Sequence, residues 1–95
     1  MPMFVISWKD KPDSLELRMA TREAHLAHLA AHPGFVRLAG PHLDAEGRMV
    51  GSLLIVEAED LAAVRAFHAA DPYVAAGLIG EVQIGGWRPT LGAIT

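Results

Sequence analysis

Two short runs constrain this chain more than any other feature: MFVISW, Met3 to Trp8, and GSLLIVE, Gly51 to Glu57. Each reads as a strand, because successive side chains of a strand point to opposite faces. In the first, Phe4, Ile6 and Trp8 point one way and Met3, Val5 and Ser7 the other. In the second, Ser52, Leu54 and Val56 share one face, and Leu53 and Ile55 the other. Both faces of both strands are largely apolar, so each needs cover on two sides. A chain of 95 residues holds a single domain, here spanning 1–95. It carries 52% hydrophobic and 20% charged residues. That is more apolar surface than one small subunit readily hides.

The rest of the chain supplies one cover. After the charged turn KDKPD, Asp13 or Ser14 can cap a helix running to about Ala31, where Pro33-Gly34 stops it. Leu15, Met19, Leu26 and Leu29 recur at helical spacing and predict its buried face, with Arg22 near the middle of the stripe. Arg18, His25 and His32 lie along one flank, and His28 turns further round, towards solvent. Phe35 to Ala39 predicts a second strand ending at the sharp Gly40-Pro41 turn, and His42 to Gly47 a polar connection turning at Glu46-Gly47. Asp60 caps a second helix from Leu61 to about Ala70, with Leu61, Val64, Phe67 and His68 facing inward. Asp71-Pro72 breaks it, and Glu81 to Gly86 forms the last strand.

The order is β-α-β-β-α-β, an α+β ferredoxin-like pattern: a four-stranded antiparallel sheet with two helices on one face. The other face keeps its share of apolar residues. A second copy packed sheet to sheet covers it most simply, so the expected assembly is a homodimer of the dimeric α+β barrel type.

Charge and composition exclude several classes of partner. The net charge is −3, and Lys9 and Lys11 are offset by Asp10 and Asp13, so no basic track for nucleic acid exists. Arg18 and Arg22 concentrate enough charge for one small anion. With no cysteine, disulfides, thiolate metal sites and a cysteine nucleophile are excluded, in keeping with a reducing, cytoplasmic setting. The N-terminal run lacks the pattern of a signal peptide. The longest apolar stretch, about Met49 to Val56, is too short to span a bilayer. His25, His28 and His32 share a helix without completing a metal-binding pattern. GLIGEVQIGG has glycines but no following helix to cradle a phosphate. Neither metal nor cofactor is expected.

Candidate chemistry rests on a few residues. His25 follows Arg22 by three positions, so the two project from adjacent faces of the helix. An imidazole there can exchange protons near neutral pH, and a neighbouring guanidinium can hold an anionic substrate. The same pattern also suits a histidine at the boundary of an amphipathic helix. Asp71 can orient an imidazole. It can equally cap a short helix begun by Pro72, and the two roles are compatible. Tyr73 offers a phenol or simply packs, and Ser52 can point its hydroxyl into a pocket or open its strand. Gly40-Pro41 can let backbone approach a ligand or simply turn the chain.

The stretches RMATREAHLAHL and LAGPHLDAEGRMVGSLLIVEAEDLAAVRAFHAADPYVAAGLIGEVQI resemble the YCII-related proteins over most of the chain. The most specific matches are R-x-x-H-L, at Arg22 to Leu26, and D-P-Y, at Asp71 to Tyr73, with Gly40-Pro41 and Gly51-Ser52 also in place. The resemblance implies a ferredoxin-like domain paired as a dimeric α+β barrel. It also implies a His–Asp active site, which falls here on His25 and Asp71. One relative removes HCl from a chlorinated hydroxyquinol without a cofactor, and muconolactone isomerases share the wider fold. The chain departs from the family after Gly85, where Gly86-Trp87-Arg88 replaces a lysine- and phenylalanine-rich ending. The expectation is a cofactor-independent lyase or isomerase acting on a small anionic or phenolic molecule. His25 and Asp71 are its catalytic pair, with Arg22, Ser52, Tyr73, Gly40 and Pro41 around the substrate. The alternative is a binding or accessory protein that uses the same pocket without chemistry.

Overall fold

Burial follows the alternation in the first apolar strand and departs from it in the second, where Gly51 and Ile55 of the other face are buried too. In the computed structural model, which describes residues 1–93, β1 (Met3–Asp10) and β3 (Met49–Glu57) lie side by side in the middle of one sheet. β2 (Val36–Leu43) and β4 (Ile79–Trp87) form its edges, in the order β2-β3-β1-β4. Every pairing is antiparallel, with Ile6 opposite Leu54 and Ile84, and Trp8 opposite Ser52 and Val82. Three helices complete the chain: α1 (Leu15–Ala30), α2 (Leu61–Ala69) and the single turn α3 (Pro72–Ala75). This is the ferredoxin-like order with one added helical turn.

The core lies between the sheet and the helices. Ile6, Trp8, Leu54 and Val56 meet Val64, Phe67, Tyr73 and Leu78 there, all buried. On the open face, Val5 and Leu53 are half-buried, while Leu38 and Trp87 are exposed. Residues opposite one another share a face, so Met3 with Trp87, Val5 with Ile55, and Leu38 with Ile55 build one apolar patch at that end.

Several local expectations change. The inner face of α1 is polar: Arg18 and His25 are its buried residues, whereas Leu15, Met19 and Leu26 are exposed. Arg18 and His25 are seven residues apart, two helical turns, so they project together. Of the predicted stripe, Leu29 packs half-buried against the core, while Leu15, Met19 and Leu26 lie on the flank. His28 does not face solvent either. Its ring stacks on Phe67 at 4.5 Å, and Nε2 donates to the Phe67 carbonyl at 3.1 Å. Ser14 occupies the N-cap of α1 without a side-chain cap bond, because its hydroxyl donates instead to the Pro12 carbonyl. Asp60 does cap α2, accepting from the Ala63 N–H at 2.9 Å.

Gly40-Pro41 does not end a strand. β2 continues through it to Leu43, with Pro41 opposite Ser52. An edge strand tolerates the missing N–H of proline, which a central strand would not. The turn falls later, where the Asp44 carboxylate accepts from the N–H groups of Glu46 and Arg48 and Gly47 takes φ 79°.

Candidate active site

Five elements bring the polar residues together beneath the helices. α1 projects Arg18 and His25 inward, β1 and β3 raise Trp8 and Ser52 towards them, and the junction of α2 and α3 delivers Asp71 and Tyr73. Asp71 is placed by its role as N-cap: Oδ1 accepts from the Tyr73 N–H at 3.0 Å. The carboxylate also accepts from His25 Nδ1, at 2.8 Å through Oδ2 and 3.0 Å through Oδ1. The capping and orienting roles therefore coincide in one side chain. An ionised carboxylate only accepts, so Nδ1 is the donor, and in the neutral ring the lone pair then sits on Nε2.

The imidazole is held on its faces as well. The Tyr73 ring stacks against it at 4.2 Å with an interplanar angle of 20°, and Trp8 meets it edge-on at 6.1 Å. Burial pushes the Tyr73 phenol above its ordinary pKa, an effect partly offset by the Arg18 and Arg22 guanidinium charges. The phenol therefore stays protonated, and its buried hydroxyl has no hydrogen-bond partner among the described residues.

A second polar chain runs beside the first. Arg18 Nε donates to Asp10 Oδ2 at 2.6 Å, and its Nη2 donates to Asp10 Oδ1 at 3.1 Å and to Ser52 Oγ at 2.8 Å. Trp8 Nε1 donates to the same Asp10 carboxylate at 3.1 Å. A buried guanidinium is tolerable only when paired and hydrogen-bonded in this way. Tyr73 joins the two chains, for Arg18 Cζ lies 4.8 Å from its ring centroid. His68 lies next to this cluster, its ring 5.4 Å from Trp8. Burial lowers its pKa below the ordinary 6.5, partly countered by the Asp71 charge.

The residues singled out by sequence thus separate into groups. His25, Asp71 and Tyr73 come together, and Ser52 joins them through Arg18. Arg22 stands exposed on α1, while Gly40 and Pro41 are exposed on the edge strand. Arg18, Asp10 and Trp8 carry the second polar chain, so Arg18 is buried on Asp10 and Ser52 and does not join Arg22 in a site for a small anion. The available signal for that burial was the placement of Arg18 on the His25 flank of α1. The dyad itself is deep: His25 is 5% exposed and Asp71 1%. A cleft of about 1020 Å³ opens at the end of β1 and reaches Trp8 and Asp10, but neither His25 nor Asp71 lines it.

Comparison with known proteins places this chain in a family. The model of the YCII-related domain matches residues 3–88. Protein YciI of Escherichia coli O6:H1 is 40% identical over 90 residues, covering 86% of this chain and 92% of the relative. An uncharacterized protein of Haemophilus influenzae is 40% identical over 89 residues, covering 85% and 91%. Among solved structures, the 5-chloro-2-hydroxyhydroquinone dehydrochlorinase TftG of Burkholderia phenoliruptrix, in complex with 2,5-dihydroxybenzoquinone, is similar at a TM-score of 0.85 and 36% identity. That match covers 90% of this chain and 93% of TftG. An antibiotic biosynthesis monooxygenase shares the fold alone, at a TM-score of 0.60 and 11% identity. The chain belongs to the YCII-related family.

Proposed function

We propose that this member of the YCII-related family is a cofactor-independent enzyme that moves a proton on a small anionic or phenolic molecule, as a lyase or isomerase does. The observation carrying the reading is the buried Asp71 carboxylate bonded to His25 Nδ1 at 2.8 Å. It fixes the tautomer that leaves Nε2 free to accept a proton, and it stabilises the imidazolium that results. The similarity to TftG, a dehydrochlorinase, supports the same class of chemistry.

In this reading Nε2 takes a proton from substrate carbon or oxygen and returns it to the product or to the leaving group. Tyr73, kept neutral by burial, presents a flat face that holds the imidazole ring in place. Arg22, exposed one turn along α1 from Arg18, meets substrate charge. Ser52 acts through Arg18, whose guanidinium it helps to hold. Gly40 and Pro41 lie on β2 opposite Leu53 and Ser52 and form the outer edge of the substrate site. The assembly is a cytoplasmic homodimer joined through the apolar end of the open sheet face, around Met3, Val5, Leu38 and Trp87.

The test is chloride release from a chlorinated hydroxyquinol, compared between the wild-type chain and His25→Ala. Loss of a general base slows such steps by about 10²–10⁴-fold. Unchanged turnover in a folded His25→Ala protein would end the proposal. One observation favours a second reading, non-catalytic binding: the dyad lines no part of the large cleft. Ligand binding by calorimetry, with no turnover in either protein, supports that reading instead.

A further inference from the structure

We propose that Ser7 and His42 form a second reactive pair, separate from the dyad, which takes the acyl group from small esters and passes it to water. The two residues belong to β1 and β2, which are separated in the sheet by β3. Even so, Ser7 Oγ stands 2.9 Å from His42 Nε2. Gly51 makes that reach possible. It pairs with Lys9 on one side and His42 on the other. A Cβ at Gly51 would collide with the Trp8 carbonyl and sit 3.1 Å from Cδ2 of the His42 ring. Without that Cβ, the ring lies across β3 and meets the serine.

The pair lies on the open face, at the end away from the Met3–Trp87 patch, and both residues line the 1020 Å³ cleft. A cleft of this size accommodates a small organic ligand. None of the chemistry proposed for His25 and Asp71 uses either residue.

A serine hydroxyl becomes a competent nucleophile when an imidazole stands ready to take its proton. The 2.9 Å separation lies within hydrogen-bond reach of that transfer. In the first step Ser7 Oγ forms a bond to the ester carbonyl carbon, and its proton passes to His42 Nε2. The bond from carbon to the leaving oxygen then breaks, and that oxygen takes the proton from His42. Water next attacks the acyl-serine with His42 as base. The acid is released and Ser7 recovers its proton. Lys9 shares the face and the cleft, and its ammonium offsets the negative charge developing on the carbonyl oxygen. The substrate class is a small carboxylic ester with a good leaving group, such as an aryl ester.

The full chain with p-nitrophenyl acetate tests this directly. The expected result is a burst of nitrophenolate, an acetyl group mapped to Ser7 by mass spectrometry, and its slow loss to water. Ser7→Ala should lose the burst and the label. His42→Gln should slow acylation by about 100-fold. Thermal melts establish that both variants are folded, and the map on the unaltered chain needs no variant. Acetyl found only on Lys9, Lys11 or the terminal amine would overturn the proposal, as would an undiminished burst in Ser7→Ala.

Discussion

Two histidines of this chain receive opposite treatment. His25 sits 5% exposed, its Nδ1 bonded to a carboxylate and its ring stacked on Tyr73. His42 lies half-buried at the wall of a broad cleft, its Nε2 bonded to a serine hydroxyl. In the first arrangement the partner holds the ring through Nδ1. The second points Nε2 at a nucleophile. In the functions proposed above, the same side chain serves as a base for substrate protons in one region and for a protein hydroxyl in the other. The lesson is that the partner of an imidazole, rather than the imidazole, decides its chemistry.

The comparison can be broken most severely on the buried side. Asp71→Ala removes the partner of His25 and the cap of α3 together, and Arg18→Ala leaves Asp10 buried without its cation. Either should cost about 3–5 kcal/mol in urea unfolding, the usual consequence of breaking a buried pair. A loss below about 1 kcal/mol would show that these pairs are not held as tightly as the geometry indicates. Gly51→Ala comes next. Its Cβ meets the Trp8 carbonyl and the His42 ring, so about 1–3 kcal/mol of overpacking should appear as a lower melting temperature. The Ser7–His42 contact should also loosen, visible as a shifted His42 ring resonance in NMR. On the cleft side Ser7→Ala should cost only about 0.5–1.5 kcal/mol, the net worth of one ordinary hydrogen bond.

The smallest effect is a pH slope, and it belongs to a third histidine. Burial holds the His68 pKa below 6.5. As the pH falls below 6.5, the unfolded chain takes up a proton at this position before the folded one does. The folded state thus loses stability in that window, and keeps the full contribution above it. Replacing His68 with Gln should flatten the acid side of the stability curve between the unfolded and folded pKa values. An unaltered slope would assign the effect elsewhere.

Much of this was readable from the residues in order. The two apolar strands called for a sheet with cover on both faces, and the caps and breakers placed the helices between strands. His25 and Asp71 were recognisable through R-x-x-H-L and D-P-Y, although local spacing left each with a structural role open. The order of elements set one on the first helix and the other just after the second. What stayed hidden depended on contacts far along the chain. Helical spacing favoured the leucine stripe of α1 as its buried face. Yet Arg18 and His25 turn inward, because Asp10, Ser52 and Asp71, which are 8, 34 and 46 residues away from their partners, satisfy them there. Periodicity counts apolar residues on one element and carries no record of a carboxylate arriving from another. The same holds for Gly40-Pro41, a turn by composition but part of an edge strand, where no further neighbour requires the missing N–H. It holds also for Ser7 and His42, 35 residues apart and joined because β3 offers a glycine between them. Sequence determined the elements and the chemical groups. The antiparallel register and the closing of helices over the sheet determined which groups meet, since only there do desolvation and pairing act on the same atoms.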